Sequence, residues 1–225
     1  MHQRGLRQAV FNIPGARRMF HAARGRRPRG PEAGAGIANR EQLPLLLNQG
    51  GLTGVGAEIG VQTGAFSEWI LDYWKGRRLI SIDPWLEYAH DDYVDVANCD
   101  QASQEVLHQG ALRRLHRFRD RSSVWRMTGS EAATRIEDES LDFAYLDARH
   151  DRASVEQDLL EWWPKIRPGG MLAGHDYLDG DLPAGIFGVK TAVDAFAAAR
   201  QLRVDTTSEP DWPSWIIMKP LARET

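Results

Sequence analysis

Four side chains in this sequence have the types and spacing to move a proton beside a bound cation: Asp147, His150, His175 and Asp176. Asp147 and His150 are three residues apart, and His175 and Asp176 are adjacent. An imidazole titrates near neutrality, so His150 suits the task of taking a proton from a hydroxyl nucleophile. Carboxylates such as Asp147 and Asp176 are hard oxygen ligands of the kind that suit Mg²⁺. A divalent ion would lower the hydroxyl pKa and fix its direction. An imidazole ligand from His175 shifts the preference toward Mn²⁺, Fe²⁺ or Zn²⁺. Each residue also has a plainer alternative. Asp147 could line a pocket, His150 could be solvated in a loop, and His175 could be a hydrogen-bonded core residue.

A second constellation lies upstream. Glu58-Ile59-Gly60-Val61-Gln62-Thr63-Gly64 places two glycines four residues apart, between an apolar run and a helical pattern. Gly60 permits a tight turn, and Gly64 permits a ligand to approach the start of the helix. A dinucleotide fingerprint would need a glycine two positions after Gly60, and Gln62 stands there. No Gly-Lys-Ser/Thr follows, so a P-loop is disfavoured as well. Asp83 closes the next apolar run, where an acid can accept both hydroxyls of a ribose. A glycine turn with Glu58 and Asp83 is the pattern of sites for S-adenosylmethionine (SAM).

These residues need a scaffold that brings strand ends together. The runs VGAEIGV, LISI, 123–127, LDFAYLD and GGMLAGHD read as strands. Segments 40–49, 65–74, 101–117, 152–164 and 189–200 read as helices, and RVDTT and SWIIMKP as closing strands. Segment 86–97 is polar and aromatic and reads as a loop, a lid or an acceptor wall. Strands alternating with helices predict an α/β fold with a mostly parallel sheet and helices on both faces. Ligands of such sheets bind beyond the carboxyl ends of the strands. Glu58, Asp83, Asp147 and Asp176 all fall at those ends.

The segments AEIGVQTGAFSEWIL, SIDPW, LDFAYLDARH and LLEWWPKIRPGGMLAGHDY resemble the class I SAM-dependent methyltransferases. Within that family they are similar to a bacterial branch that includes macrolide-sugar O-methyltransferases. The resemblance covers about residues 40–218. It implies a Rossmann-like, seven-stranded, mostly parallel sheet, and O-methylation of a small-molecule hydroxyl such as that of a sugar or secondary metabolite. Carried onto matching positions, it implies that Glu58, Gly60 and Gly64 shape the pocket for the methionine part of SAM. Asp83 holds the ribose, Thr128, Gly129 and Ser130 lie near the adenine, and Trp85 covers it or packs a loop. The branch uses an acid after strand four, a histidine three residues on as base, and an acidic pair after strand five. Asp147 and His150 match; the pair here is His175-Asp176, which with Asp147 would hold a divalent metal, Mg²⁺ or Mn²⁺.

Bulk properties narrow the alternatives. The chain has 225 residues and a net charge of −3, which does not suit a polyanion binder. No RNA- or DNA-binding motif is visible, so a nucleic-acid acceptor is not expected. Cys99 is the only cysteine, which rules out an intrachain disulfide and a cysteine-based zinc site. With no apolar run of membrane-spanning length and no signal-like segment, the expectation is a cytoplasmic protein without a membrane span. Residues 1–39 read as a basic extension and linker, with Arg4, Arg7, Arg17, Arg18, Arg24, Arg26, Arg27 and Arg29 and no acid before Glu32. This extension is a solvated tail or a helix for a partner chain, as in a homo-oligomer; residues 40–225 form the domain. Two other functions remain open: a hydroxylation-type enzyme of antibiotic pathways on the same scaffold, and a non-catalytic SAM-binding or assembly protein.

Overall fold

A computed structural model describes residues 36–90 and 92–221, so the expectations for the basic extension before residue 36 lie outside the described residues. Seven strands form one sheet in the order β3-β2-β1-β4-β5-β9-β8. The strands are β1 (Val55–Ile59), β2 (Arg78–Asp83), β3 (Ser122–Arg126), β4 (Leu141–Leu146), β5 (Ile166–Gly174), β8 (Asp205–Thr206) and β9 (Trp215–Met218). The first five are mutually parallel, and β9 runs antiparallel to both β5 and β8. The expected Rossmann-like, seven-stranded, mostly parallel sheet is therefore present.

The central strands are apolar throughout because both faces of the sheet are covered. Every residue of β4 is buried. Its side chains alternate: Phe143 and Tyr145 pack on one side, Ala144 and Leu146 on the other. The first side is covered by α1 (Leu43–Gln49) and α2 (Ala65–Tyr73), through Leu43, Leu47, Ile70 and Trp74. The second is covered by α4 (Gly129–Ala133), α5 (Arg152–Trp162) and α6 (Val189–Ala199), through Ala132, Leu159, Trp162 and Phe196. Helix α3 (Gln101–Leu115) packs beside α2, with Leu115 joining the first side, and continues into a 3-10 turn at His116–Arg121. No helix among the described residues is long and apolar enough to cross a membrane.

Local chemistry starts the helices where they begin. Asp100 caps α3 by accepting from the Ser103 N–H, and Asp151 caps α5 by accepting from Ser154. Thr128 and Glu131 form a reciprocal capping box at α4.

Two elements have no counterpart among those read from the sequence: the short helix α4 and a hairpin. A two-stranded antiparallel hairpin, β6 (Asp179–Leu182) and β7 (Gly185–Gly188), is inserted between β5 and α6. Its strands are four residues long and rich in Gly and Asp, so no period stands out. The partner that holds it in place, the loop around Asp95, lies some ninety residues earlier.

Candidate active site

The backbone ladder of the sheet runs on past the strand ends and sets the loops of the site. Gly60 N–H donates to the Ile82 carbonyl (2.9 Å), Asp147 N–H to Ile59 (2.8 Å) and His175 N–H to Leu146 (3.0 Å). Gly60 has a φ of +89°, and a Cβ there would sit 1.9 Å from the Asp147 carbonyl oxygen. Only glycine lets the first turn pack this closely against the loop after β4.

At the β1–β2 end, both acids have protein partners. One Asp83 carboxylate oxygen accepts from the N–H groups of Val61 and Gln62, and the other accepts from Trp85. Burial pushes its pKa up, partly offset by those backbone bonds. Glu58 is buried beneath the turn, accepts from Ser67 of α2, and is pushed up to about 8 by burial. Ser81 of β2 donates in turn to Ser67 (2.9 Å). Gly64 begins α2 in the left-handed conformation. Trp85, expected either to cover the adenine or to pack a loop, is surrounded as a loop-packing residue would be. Its ring is 0% exposed, packs with Val61, Ala111 and His108, and donates from Nε1 to the Gln62 carbonyl. With no free face, it buttresses the turn. Thr128 is occupied by its capping box, Ser130 accepts from Gln157, and Gly129 lies over Ile59 and Asp158.

At the β4–β5 end the sequence candidates do come together. His150 Nε2 lies 3.1 Å from Asp176 Oδ2 and 3.6 Å from Asp147 Oδ1. His175 Nδ1 lies 2.6 Å from Asp176 Oδ1 and 3.8 Å from Asp147 Oδ1. His150, His175 and Asp176 are buried, and Asp176 has a φ of +53°, a strained value for a residue with a side chain. Burial alone would lower the pKa of His150. The neighbouring carboxylates of Asp147, Asp95 and Asp176 outweigh it and hold the imidazole well above its usual value. Burial would likewise raise Asp147, but His175, His150 and Arg40 hold it below the usual carboxylate range.

Two members of this cluster were not singled out from sequence. Arg40, in a 3-10 turn before α1, donates to Asp147 Oδ2 (3.0 Å) and lies over the Phe66 ring. Asp95, from the loop after β2, has a 3% exposed side chain and meets His150 Nδ1 at 2.9 Å. No local pattern marks either residue, because each reaches the site through tertiary contact.

The residues present fit a divalent cation. Asp147, His175 and Asp176 each offer one ligand atom, all within 4.8 Å of one another. Nδ1 of His175 and Oδ1 of Asp176 are buried and, despite their short separation, make no hydrogen bond with each other or with any other group. Buried polar atoms are normally satisfied, so such a pair marks a place where something else binds.

Fold and site define a class: an α/β domain with a glycine turn after its first strand and an acid-and-histidine cluster at the ends of the fourth and fifth. A family model described as a methyltransferase domain matches residues 57–177, more than half of the chain. The chain belongs to this family and is a SAM-dependent methyltransferase. No curated protein matches it in sequence. Among solved structures, a Corynebacterium glutamicum protein is similar with a TM-score of 0.56 at 19% identity, covering 99% of this chain and 99% of that one. An O-methyltransferase from Bacillus cereus, in complex with S-adenosylhomocysteine (SAH), gives 0.55 at 16% identity over 80% of each chain. The O-methyltransferase TomG from Streptomyces achromogenes, involved in tomaymycin synthesis and bound to SAM, gives 0.52 at 14% identity over 80% of this chain and 78% of that one. At these identities the likeness is one of fold.

Proposed function

We propose that this protein transfers the methyl group of SAM to a hydroxyl oxygen of a small molecule, with His150 as the general base. The observation that carries this reading is the cluster of buried His150, His175 and Asp176 with half-buried Asp147 beside the glycine turn. The O-methyltransferases of similar fold, one with SAH and one with SAM, support it. The sequence resemblance favours a hydroxylated sugar or secondary metabolite as acceptor.

In this reading Gly60 and Gly64 shape the methionine end of the SAM pocket, and Glu58 holds that turn from below. Asp83 keeps the turn's N–H groups in place and uses its remaining lone-pair capacity for the ribose. The backbone at Thr128, Gly129 and Ser130 borders the adenine. His150 in its neutral form takes the proton of the acceptor oxygen at Nε2, and the oxygen displaces the methyl carbon from sulfur, forming a C–O bond and SAH. Because the surrounding carboxylates favour the protonated ring, the rate should rise with pH. Most of the acceleration comes from holding oxygen, carbon and sulfur in line. A divalent ion held by Asp147, His175 and Asp176 would lower the pKa of the acceptor hydroxyl and fix its direction. An N,O,O donor set favours Mn²⁺, Fe²⁺ or Zn²⁺ over Mg²⁺.

Calorimetric titration of SAM and NAD, with EDTA or added Mn²⁺, tests the reading. SAM binding without NAD binding is expected, and an acceptor screen should yield a product heavier by one methylene. No SAM binding under any metal condition would overturn it.

A further inference from the structure

Two segments outside the sheet meet over His150. The first is the stretch 92–99 of the loop after β2, and the second is the β6–β7 hairpin. They join in a short antiparallel seam: Asp95 pairs with Gly185, Val96 N–H donates to the Ala184 carbonyl (2.9 Å), and Ile186 N–H donates to Val94 (3.2 Å). Both segments also grip the residue they cover. Phe187 of the hairpin stacks on the His150 ring at 5.0 Å and 20°, and Gly188 N–H donates to the His150 carbonyl. From the loop, Tyr93 donates to the Ala148 carbonyl, and Asp95 reaches His150 Nδ1.

We infer that Asp95 is a positioning residue for His150, delivered to the site by this seam between the two segments. The inference rests on the reading of His150 as the base. Asp95 occupies Nδ1 and thereby leaves Nε2 as the nitrogen that faces the ends of β4 and β5. Its other carboxylate oxygen accepts from the Ala97 N–H, so the loop itself sets the direction of the carboxylate. An orienting partner of this kind fixes the ring and its tautomer without touching the reacting atoms.

The seam itself is held by backbone bonds: Val94, Val96 and Ile186 are 38%, 43% and 48% exposed, and the buried contact beside it is that of Phe187 on His150. Gly185 is its tightest point. Its φ is +150°, and a Cβ would lie 2.6 Å from the Val94 carbonyl oxygen and 3.1 Å from the Asp95 Cα. A side chain at Gly185 therefore pries the seam apart while leaving Asp95 and His150 in the chain.

The test is the solvent exchange of the His150 Nδ1 proton, followed by proton–nitrogen NMR on full-length protein with ¹⁵N-labelled histidine. His150→Gln assigns the signal. The wild type should show a downfield, slowly exchanging proton. Asp95→Ala should speed its exchange by roughly tenfold or more, as expected for loss of a hydrogen bond to a charged group. Asp95→Asn, which keeps an acceptor, should restore part of the protection. Gly185→Val should speed exchange as Asp95→Ala does, and Gly185→Ala, the milder change, should do so to a smaller degree. SAM titration and circular dichroism on each variant report the fold separately. No slow proton in the wild type, or unchanged exchange in Asp95→Ala, overturns the assignment of Asp95. Loss of protection in Asp95→Ala with none in the two folded Gly185 variants overturns delivery by the seam. Failure of SAM to bind the wild type overturns the proposed function instead, whatever the proton shows.

Discussion

The two ends of the site are built on opposite plans. At the β1–β2 end the charged groups are spent on the protein itself: Asp83 takes three backbone N–H bonds and Glu58 takes the Ser67 hydroxyl. At the β4–β5 end, Asp95, Asp147 and Asp176 crowd around His150 with Arg40 beside Asp147, and buried atoms of His150, His175 and Asp176 lack hydrogen bonds. The first end is a finished piece of architecture that a ligand can lean on. The second holds unsatisfied groups and a strained backbone, which cost stability and are retained where chemistry or a ligand uses them.

The largest expected effect tests that division directly. His150→Gln should lower methyl transfer by ~10²–10⁴-fold, the range for loss of a general base, with SAM affinity nearly unchanged. A matching loss of SAM affinity would erase the distinction between the two ends. Asp83→Ala should do the reverse and weaken SAM binding by roughly tenfold or more, because it removes a ribose acceptor and orphans the turn's N–H groups. Calorimetry on the two variants side by side decides between these outcomes.

A smaller effect concerns the cation. Added Mn²⁺ should raise the melting temperature of the wild type by mass action, and EDTA should reverse the rise. Asp176→Asn should blunt the response. A rise of equal size in that variant would place metal binding away from the cluster.

The smallest effect belongs to the quiet end. Glu58 carries its proton in the folded protein up to about pH 8, whereas an ordinary glutamate loses it near 4.5. Between those values the folded state holds a proton that the unfolded state has lost, so stability falls as pH rises, by at most about 1.4 kcal/mol per pH unit for one proton. Glu58→Gln should flatten that decline in denaturant titrations between pH 5 and 8. An unchanged slope would show that Glu58 is ionised in the fold.

Much of the sheet could be read along the chain. β1, β2, β4 and β5 are apolar runs bounded by turn residues, and α2, α3, α5 and α6 carry spacing or caps that announce them. The fate of Trp85 could not. An aromatic after Asp83 suits a ligand cover and a loop buttress equally, and the choice depends on Ala111 and His108, which arrive from α3. The β6–β7 hairpin was hidden for a related reason, since its strands are short and its pairing partner is remote.

By itself the sequence determined the fold class, the glycine turn, and the pairs Asp147/His150 and His175-Asp176. Local periodicity marks the strands and helices, their alternation with right-handed crossovers makes the sheet parallel, and groups at strand ends then face the crevice beyond them. Only the tertiary structure decided that Arg40 pairs with Asp147, that Asp95 holds His150, and that two distant segments close over them. Those contacts join residues 55 to 107 positions apart, and no pattern within a helix or strand period can encode which side chain lies at that range.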